Sequence, residues 1–221
     1  MEHTHPLPFS VPMPPKVAAL PRNARGYPIP FFVAYVDGLP EFRLARASAR
    51  GEALRFGLCW VCGQRLGAYV SHVVGPMCCV NRNSAEPPLH RECAEFSVQA
   101  CPFLLKPAME RREDEFTRTH GVDPAGIMLK RNPGVTAVWT TRGTLTHGDG
   151  RGGILFNIGE PTSISLWREG RAATRAETEA SITSGRPYLL ALDPGDREAE
   201  VEIDRRIEGT LALLDRLVFT P

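Results

Sequence analysis

The sequence predicts an α+β fold, in which helices pack a small antiparallel sheet along an irregular chain rich in glycine and proline. Three observations predict it. Short runs of β-branched and aromatic residues, at 30–36, 135–140, 154–158 and 163–167, are bounded by turn residues and read as strands. Ile203, Ile207, Leu211, Leu214 and Val218 recur at three- and four-residue intervals, the stripe of an amphipathic helix over 198–217. Twenty glycines and twenty prolines among 221 residues demand many turns and irregular connections.

Size and charge narrow the classes further. A chain of 221 residues buries a proper core, as one large domain or two small ones. A hydrophobic fraction of 43% excludes wholesale disorder. The formal charge of +1, from 26 basic and 25 acidic side chains, makes no global case for nucleic acid and leaves only a local patch. No apolar run reaches the length that crosses a bilayer, so no membrane partner is expected. Met1-Glu-His-Thr-His-Pro6 lacks the basic region and apolar core of a secretory signal, and the expected location is cytoplasmic.

Taken in order, residues 1–15 read as a flexible lead-in, because Pro6, Pro8, Pro12, Pro14 and Pro15 block regular structure. His3 and His5 lie within it. Residues 16–104 hold the N-terminal strands and the cysteine-rich module, and 105–221 form an α+β segment packed against that part. The strand at 30–36 ends at Asp37-Gly38 and returns over 41–44 as a hairpin. Residues 66–80 read as a second hairpin turning near Gly75-Pro76. Pro87-Pro88 precede a helix carrying His90 and Cys93. A polar helix is expected over 108–120, with mixed charges that describe a solvated face.

Beyond the strand at 135–140, residues 141–153 read as a loop or hairpin. Within them His147-Gly-Asp-Gly-Arg-Gly-Gly153 reads as a turn, since no phosphate-binding fingerprint accompanies it. Trp139 and Trp167 read as closing the core of a small sheet in preference to a ligand platform. A helix with a small-residue face spans 172–180 and ends near Gly185, followed by a separate apolar run from Pro187. The stripe over 198–217 docks onto the chain's own core, with dimerisation as the second use.

The functional signal is concentrated in one stretch, because all six cysteines lie between 59 and 101. Cys59-Trp-Val-Cys62-Gly63 and His90-Arg-Glu-Cys93 are two short-spaced pairs separated by a longer excursion, the pattern of a tetrahedral zinc site. Glycine relieves the tight turn after Cys62, and a spacing of three puts His90 and Cys93 on one helical face. A redox pair would sit before a helix that lowers a thiol pKa, and Gly63-Gln64-Arg65 starts none clearly. In a reducing compartment such pairs favour metal over three disulfides. Cys78, Cys79 and Cys101 remain open: each can replace His90, serve a second metal, or be a buried thiol. Cys101-Pro102 matches one piece of an iron–sulfur pattern, without the close succession of the other cysteines.

A knuckle, a hairpin and a helix carrying the second pair together resemble the treble-clef class of zinc fingers, over about 45 residues. The resemblance implies a structural Zn2+ held by Cys59, Cys62, His90 and Cys93, and weakly implies any one activity. Tyr69-Val-Ser-His72-Val-Val-Gly-Pro76 resembles the hairpin histidine region of HNH nucleases. It departs from that pattern at Ser71, where an acidic residue is often found, and lacks the asparagine–histidine completion. Leu20-Pro-Arg-Asn-Ala-Arg-Gly-Tyr-Pro28, the Cys59–Gly63 motif, and Gly75-Pro-Met-Cys-Cys79 through Cys93 resemble a group of actinobacterial and actinobacteriophage proteins. That resemblance implies no particular activity.

The expected function is non-enzymatic macromolecular recognition on a zinc-stabilised module, with nucleic acid slightly ahead of another protein as partner. Arg43, Arg46, Arg50, Arg65, Arg82 and Arg91 are the candidate phosphate contacts. The alternative is a metal-dependent hydrolase or HNH-like nuclease. It needs an open metal position, or a second centre near His72, His120 or His147.

Overall fold

The computed structural model describes residues 9–107, 109–110, 125–126, 131–191 and 194–219. The lead-in as far as residue 8, with His3 and His5, and nearly all of the helix expected over 108–120, with His120, lie outside the described residues. Phe9, Val11 and Met13 pack against the core of the cysteine module, with the Phe9 ring edge-on to Phe96 at 5.2 Å. Ordered packing therefore begins inside the stretch expected to be a loose lead-in.

Helix α1 (Pro15–Ala18) opens with proline at its first turn and buries Val17. Strands β1 (Val33–Val36) and β2 (Leu39–Ala45) form the expected hairpin. Asp37 and Gly38 both take positive φ, 50° and 78°, as a two-residue type I′ turn requires. Helix α2 (Ala49–Phe56) ends on left-handed Gly57, whose N–H donates to the Ala53 carbonyl.

A four-stranded antiparallel sheet forms the centre. Its order is β3 (Val70–Val74), β5 (Thr136–Thr141), β8 (Pro161–Arg168) and β9 (Arg171–Ala172). A second antiparallel sheet joins β4 (Asn83–Ser84), β7 (Ile154–Asn157) and β6 (Leu145–Gly148). Both sheets draw strands from the two halves of the chain, so the segment after residue 105 completes sheets begun before it. Helices α3 (Pro76–Asn81), α4 (Arg91–Ala100), α5 (Pro102–Leu105), α6 (Arg175–Leu190) and α7 (Arg197–Leu214) complete the fold. A π-helical turn, Asp215–Phe219, follows α7.

Strand alternation gives the central sheet two buried faces. Val138 and Trp167 point to one side, where the cysteine module and α4 supply the core. Val74, Val135, Ala137, Trp139, Ile164 and Leu166 point to the other, where Ile182 of α6 and Leu213 and Leu214 of α7 cover them. The two tryptophans thus lie on opposite faces and close separate cores. Trp139 is fully buried and its Nε1–H donates to the Ile158 carbonyl at 2.9 Å. The stripe of α7 docks onto this second core, as expected from its periodicity.

Two local readings change. Residues 76–81 are helical, and the partner of β3 is β5, with His72 opposite Trp139. Helix α6 runs through both Gly185 and Pro187. A Cβ on Gly185 would collide with Met77 Sδ, so this glycine marks the close crossing of α6 over α3. Burial of Ile182 and packing of Leu189 against the second core outweigh the cost of a proline inside the helix, about 3 kcal/mol. A capping box between Thr174 and Glu177 sets the start of α6, and Asp196 caps α7.

Candidate metal centre

Residues 58–65 form a tight knuckle closed by an antiparallel bridge between Leu58 and Arg65. The Cys59 N–H donates to the Gln64 carbonyl at 2.8 Å and the Gly63 N–H to the Cys59 carbonyl at 2.9 Å. Gly63 holds φ at 68°, and a Cβ there would meet Phe31 Cδ2 at 2.7 Å. Only glycine satisfies both constraints. The knuckle is clamped from outside as well: Phe31 N–H donates to Val61 O, and Trp60 N–H to Pro88 O. Trp60 stacks on Phe32 with centroids 5.0 Å apart.

The second pair arrives through β3. Ser71 and Leu89 exchange backbone hydrogen bonds at 2.8 and 2.7 Å, which fixes the residue immediately before His90. His90 is the extended N-cap of α4, and Cys93 lies in the helix's first turn. All four ligand atoms, from Cys59, Cys62, His90 and Cys93, lie within 4.8 Å of one another, and all four residues are buried. Cys59 and Cys93 are 0% exposed.

The donor chemistry fits zinc. His90 Nδ1 faces the cluster, 3.3 Å from Cys62 Sγ, while Nε2 lies 3.0 Å from the Arg65 carbonyl oxygen. A carbonyl only accepts, so Nε2 carries the proton and Nδ1 keeps its lone pair for a metal. The His90 N–H donates to Cys59 Sγ at 3.4 Å, a contact that favours thiolate. Hydrogen bonds from the Cys62 and Cys93 thiols pull the Cys59 pKa below the ordinary thiol range. Cys59 in turn pushes Cys62 up, and Cys59 and then Cys62 push Cys93 up. The three sulfurs therefore compete for ionisation, and a divalent cation is what would allow three thiolates in one site. Lys16 Nζ donates to Glu92 at 2.8 Å, and its pKa is raised first by that bond and further by the fields of Glu92, Cys62 and Cys93.

The remaining cysteines stand apart. All six are free thiols. Cys79 and Cys78 belong to α3 and pack into the second core. Cys101 caps the far end of α4, eight residues or about 12 Å of helix from Cys93. Burial pushes all three thiols up, so they are neutral and poor ligands. Among the described residues, Cys59, Cys62, His90 and Cys93 are the only group that could hold a metal.

The arginines divide. Arg43 is bound to Glu41, Arg46 is forked onto Glu52, and Arg91 pairs with Glu95. Arg50 is half-buried and donates to the carbonyls of Ala85 and Ile154, tying α2 to the smaller sheet. Those four hold the protein's own structure. Arg65 is exposed beside the knuckle and lines a groove of about 510 Å³ with Arg55, Phe56, Leu66, Pro87, Pro88 and Thr144. Arg82 stacks over Trp139 at 4.5 Å and lines a different cleft.

His72 is 0% exposed and lies on the sheet face opposite the cysteine cluster. Neither ring nitrogen meets a hydrogen-bond partner. Desolvation lowers its pKa to about 4, partly offset by the nearby Glu86 backbone. His147 is exposed on β6. Neither joins a metal-ligand group among the described residues. Sequence reasoning missed Arg55, Phe56, the Arg65 carbonyl and the Lys16–Glu92 pair. The last two depend on contacts 25 and 76 residues apart, for which no local signal exists.

Comparison of the chain with family models, with curated proteins and with solved structures found no match in any of the three.

Proposed function

We propose that this protein is a zinc-stabilised recognition protein without catalytic activity, and that it binds single-stranded nucleic acid in the groove beside the knuckle. One observation carries the reading. The Arg65 carbonyl anchors the metal-facing His90, while Arg65 itself lines the groove. Zinc held by Cys59, Cys62, His90 and Cys93 would cross-link knuckle and helix, and so hold the groove wall in place. Four protein donors would leave no open position for a substrate, which makes the metal structural. The knuckle and helix-borne pair also support kinship with treble-clef modules.

The lining suits a nucleic-acid strand. Among the described residues, Arg55 and Arg65 have no carboxylate partner, and both are exposed. Phe56 is 48% exposed and lies under the Arg55 guanidinium at 5.1 Å. Cations that meet phosphates beside an aromatic face that stacks on bases are the recurring elements of single-strand binding. A reducing location such as the cytoplasm accords with three thiolate ligands. Among the described residues, no helix is long and apolar enough to cross a membrane.

The test is fluorescence anisotropy with a labelled single-stranded oligonucleotide across salt concentrations. Binding that weakens with salt, weakens about tenfold or more in Arg55→Gln/Arg65→Gln, and is lost on zinc removal supports the proposal. Absence of binding at low salt overturns the nucleic-acid reading and leaves a protein partner for the same groove.

A further inference from the structure

We infer that the cleft between the end of α3 and the middle of α7 is a binding site for a phosphate group. This cleft has a volume of about 390 Å³ and is lined by Val80, Asn81, Arg82, Arg205, Arg206 and Thr210, with Gly209 at its edge. It lies on the helix-covered side of the central sheet, away from the knuckle groove, and it does not depend on the reading of that groove.

Three guanidiniums converge on one opening. Arg205 and Arg206 both bind the single carboxylate of Glu202, at 2.8 Å and 2.7 Å. One negative charge between two cations leaves an uncompensated positive charge. Arg82 adds another, since no carboxylate partners it among the described residues. The backbone takes an unusual course to place it there: Arg82 holds φ at 58° as the left-handed cap of α3. Its guanidinium carbon lies over the Trp139 ring, 4.5 Å from the centroid, and its Nη1 is buried with no hydrogen-bond partner.

The neutral lining agrees with this charge. Thr210 is 2% exposed and lines the cleft beside the arginines. A buried guanidinium nitrogen left unpaired is costly unless something accepts from it. A phosphate has the oxygens to accept from hydroxyl and guanidinium together, and planar guanidinium donors match its geometry. Nothing lies within 4 Å of where a Cβ on Gly209 would be, so the mouth beside Thr210 is open. The volume lies at the small end of ligand sites, which suits one phosphate group with a small substituent. That group can be free phosphate or part of a nucleic-acid backbone, and the two sources separate experimentally.

The experiment is calorimetric titration of the zinc-loaded full chain with inorganic phosphate, and in parallel with a short single-stranded oligonucleotide, at constant ionic strength. Wild type and Arg205→Gln/Arg206→Gln are compared, because both arginines are on the surface and the fold does not depend on them. Thr210→Val is the second variant, nearly the same shape without the hydroxyl. Saturable one-site phosphate binding, weaker by about tenfold or more in the double variant and weakened in Thr210→Val, supports the inference. Binding of the oligonucleotide alone, weakened in the double variant and unaffected by Arg55→Gln/Arg65→Gln, supports it with the phosphate carried on a strand. No saturable binding of either ligand, or binding unchanged in the double variant, overturns it. Failure of the knuckle groove would show instead as insensitivity of oligonucleotide binding to Arg55→Gln/Arg65→Gln.

Discussion

His72 provides a quantitative test of the buried sheet face. Its ring is fully enclosed, beside Phe156 at 6.4 Å and across from Trp139, and burial lowers its pKa from 6.5 to about 4. In the folded protein it stays neutral over a range in which the unfolded chain takes up a proton. Stability from this residue is therefore complete above pH 6.5 and is lost as pH falls towards 4, with no further loss below. The full difference is about 3 kcal/mol at 1.36 kcal/mol per pH unit. Urea unfolding should be measured from pH 7.5 to 4.5 for wild type and His72→Leu. Protonation of the zinc ligands weakens both proteins alike, so the difference between the curves isolates His72. The variant should match or exceed wild type at pH 7.5, because it removes two unpaired buried nitrogens. By pH 4.5 it should exceed wild type by most of those 3 kcal/mol. Parallel curves across the range would refute the assignment of a buried, neutral histidine.

Three further outcomes are expected. Gly63→Ala combines a left-handed φ with a contact on Phe31; it should cost about 1–3 kcal/mol and lower the zinc content of purified protein, measured by colorimetric release. Cys93→Ser should abolish stoichiometric zinc while Cys101→Ser retains it, read in the same assay, and equal loss in both would contradict the ligand assignment. Leu214→Ala removes a side chain 1% exposed in the second core and should cost about 2–5 kcal/mol in urea unfolding, because this face of α7 packs into the chain's own core.

The cluster of Cys59, Cys62, His90 and Cys93 was legible because its pairs are local. Cys59 with Cys62, and His90 with Cys93, are defined by spacings of three, and only the meeting of the two pairs is long-range. The orientation of His90 was not legible, because the carbonyl that sets it belongs to Arg65, 25 residues earlier. The return expected after β3 failed for a related reason. Its hydrogen bonds go to β5, with His72 opposite Trp139, and a valine-rich strand does not name its partner. Gly185 and Pro187 read as breakers, but Met77 requires the glycine and the second core holds the helix together beyond it. The arginine cluster shows the converse. Arg91–Glu95 is a helical i,i+4 pair that spacing alone could have revealed, whereas Arg50 is consumed by carbonyls from residues 35 and 104 positions away.

A structural role for the metal requires that Cys59, Cys62, His90 and Cys93 enclose one zinc with no vacant position. Metal analysis of the purified full chain, combined with X-ray absorption at the zinc edge, tests it most directly. One zinc per chain is expected, with three sulfurs at about 2.3 Å and one nitrogen at about 2.0 Å. Iron in place of zinc, fewer than three sulfurs, or an oxygen from water in the fourth position would contradict it, and the last would reopen the hydrolase reading.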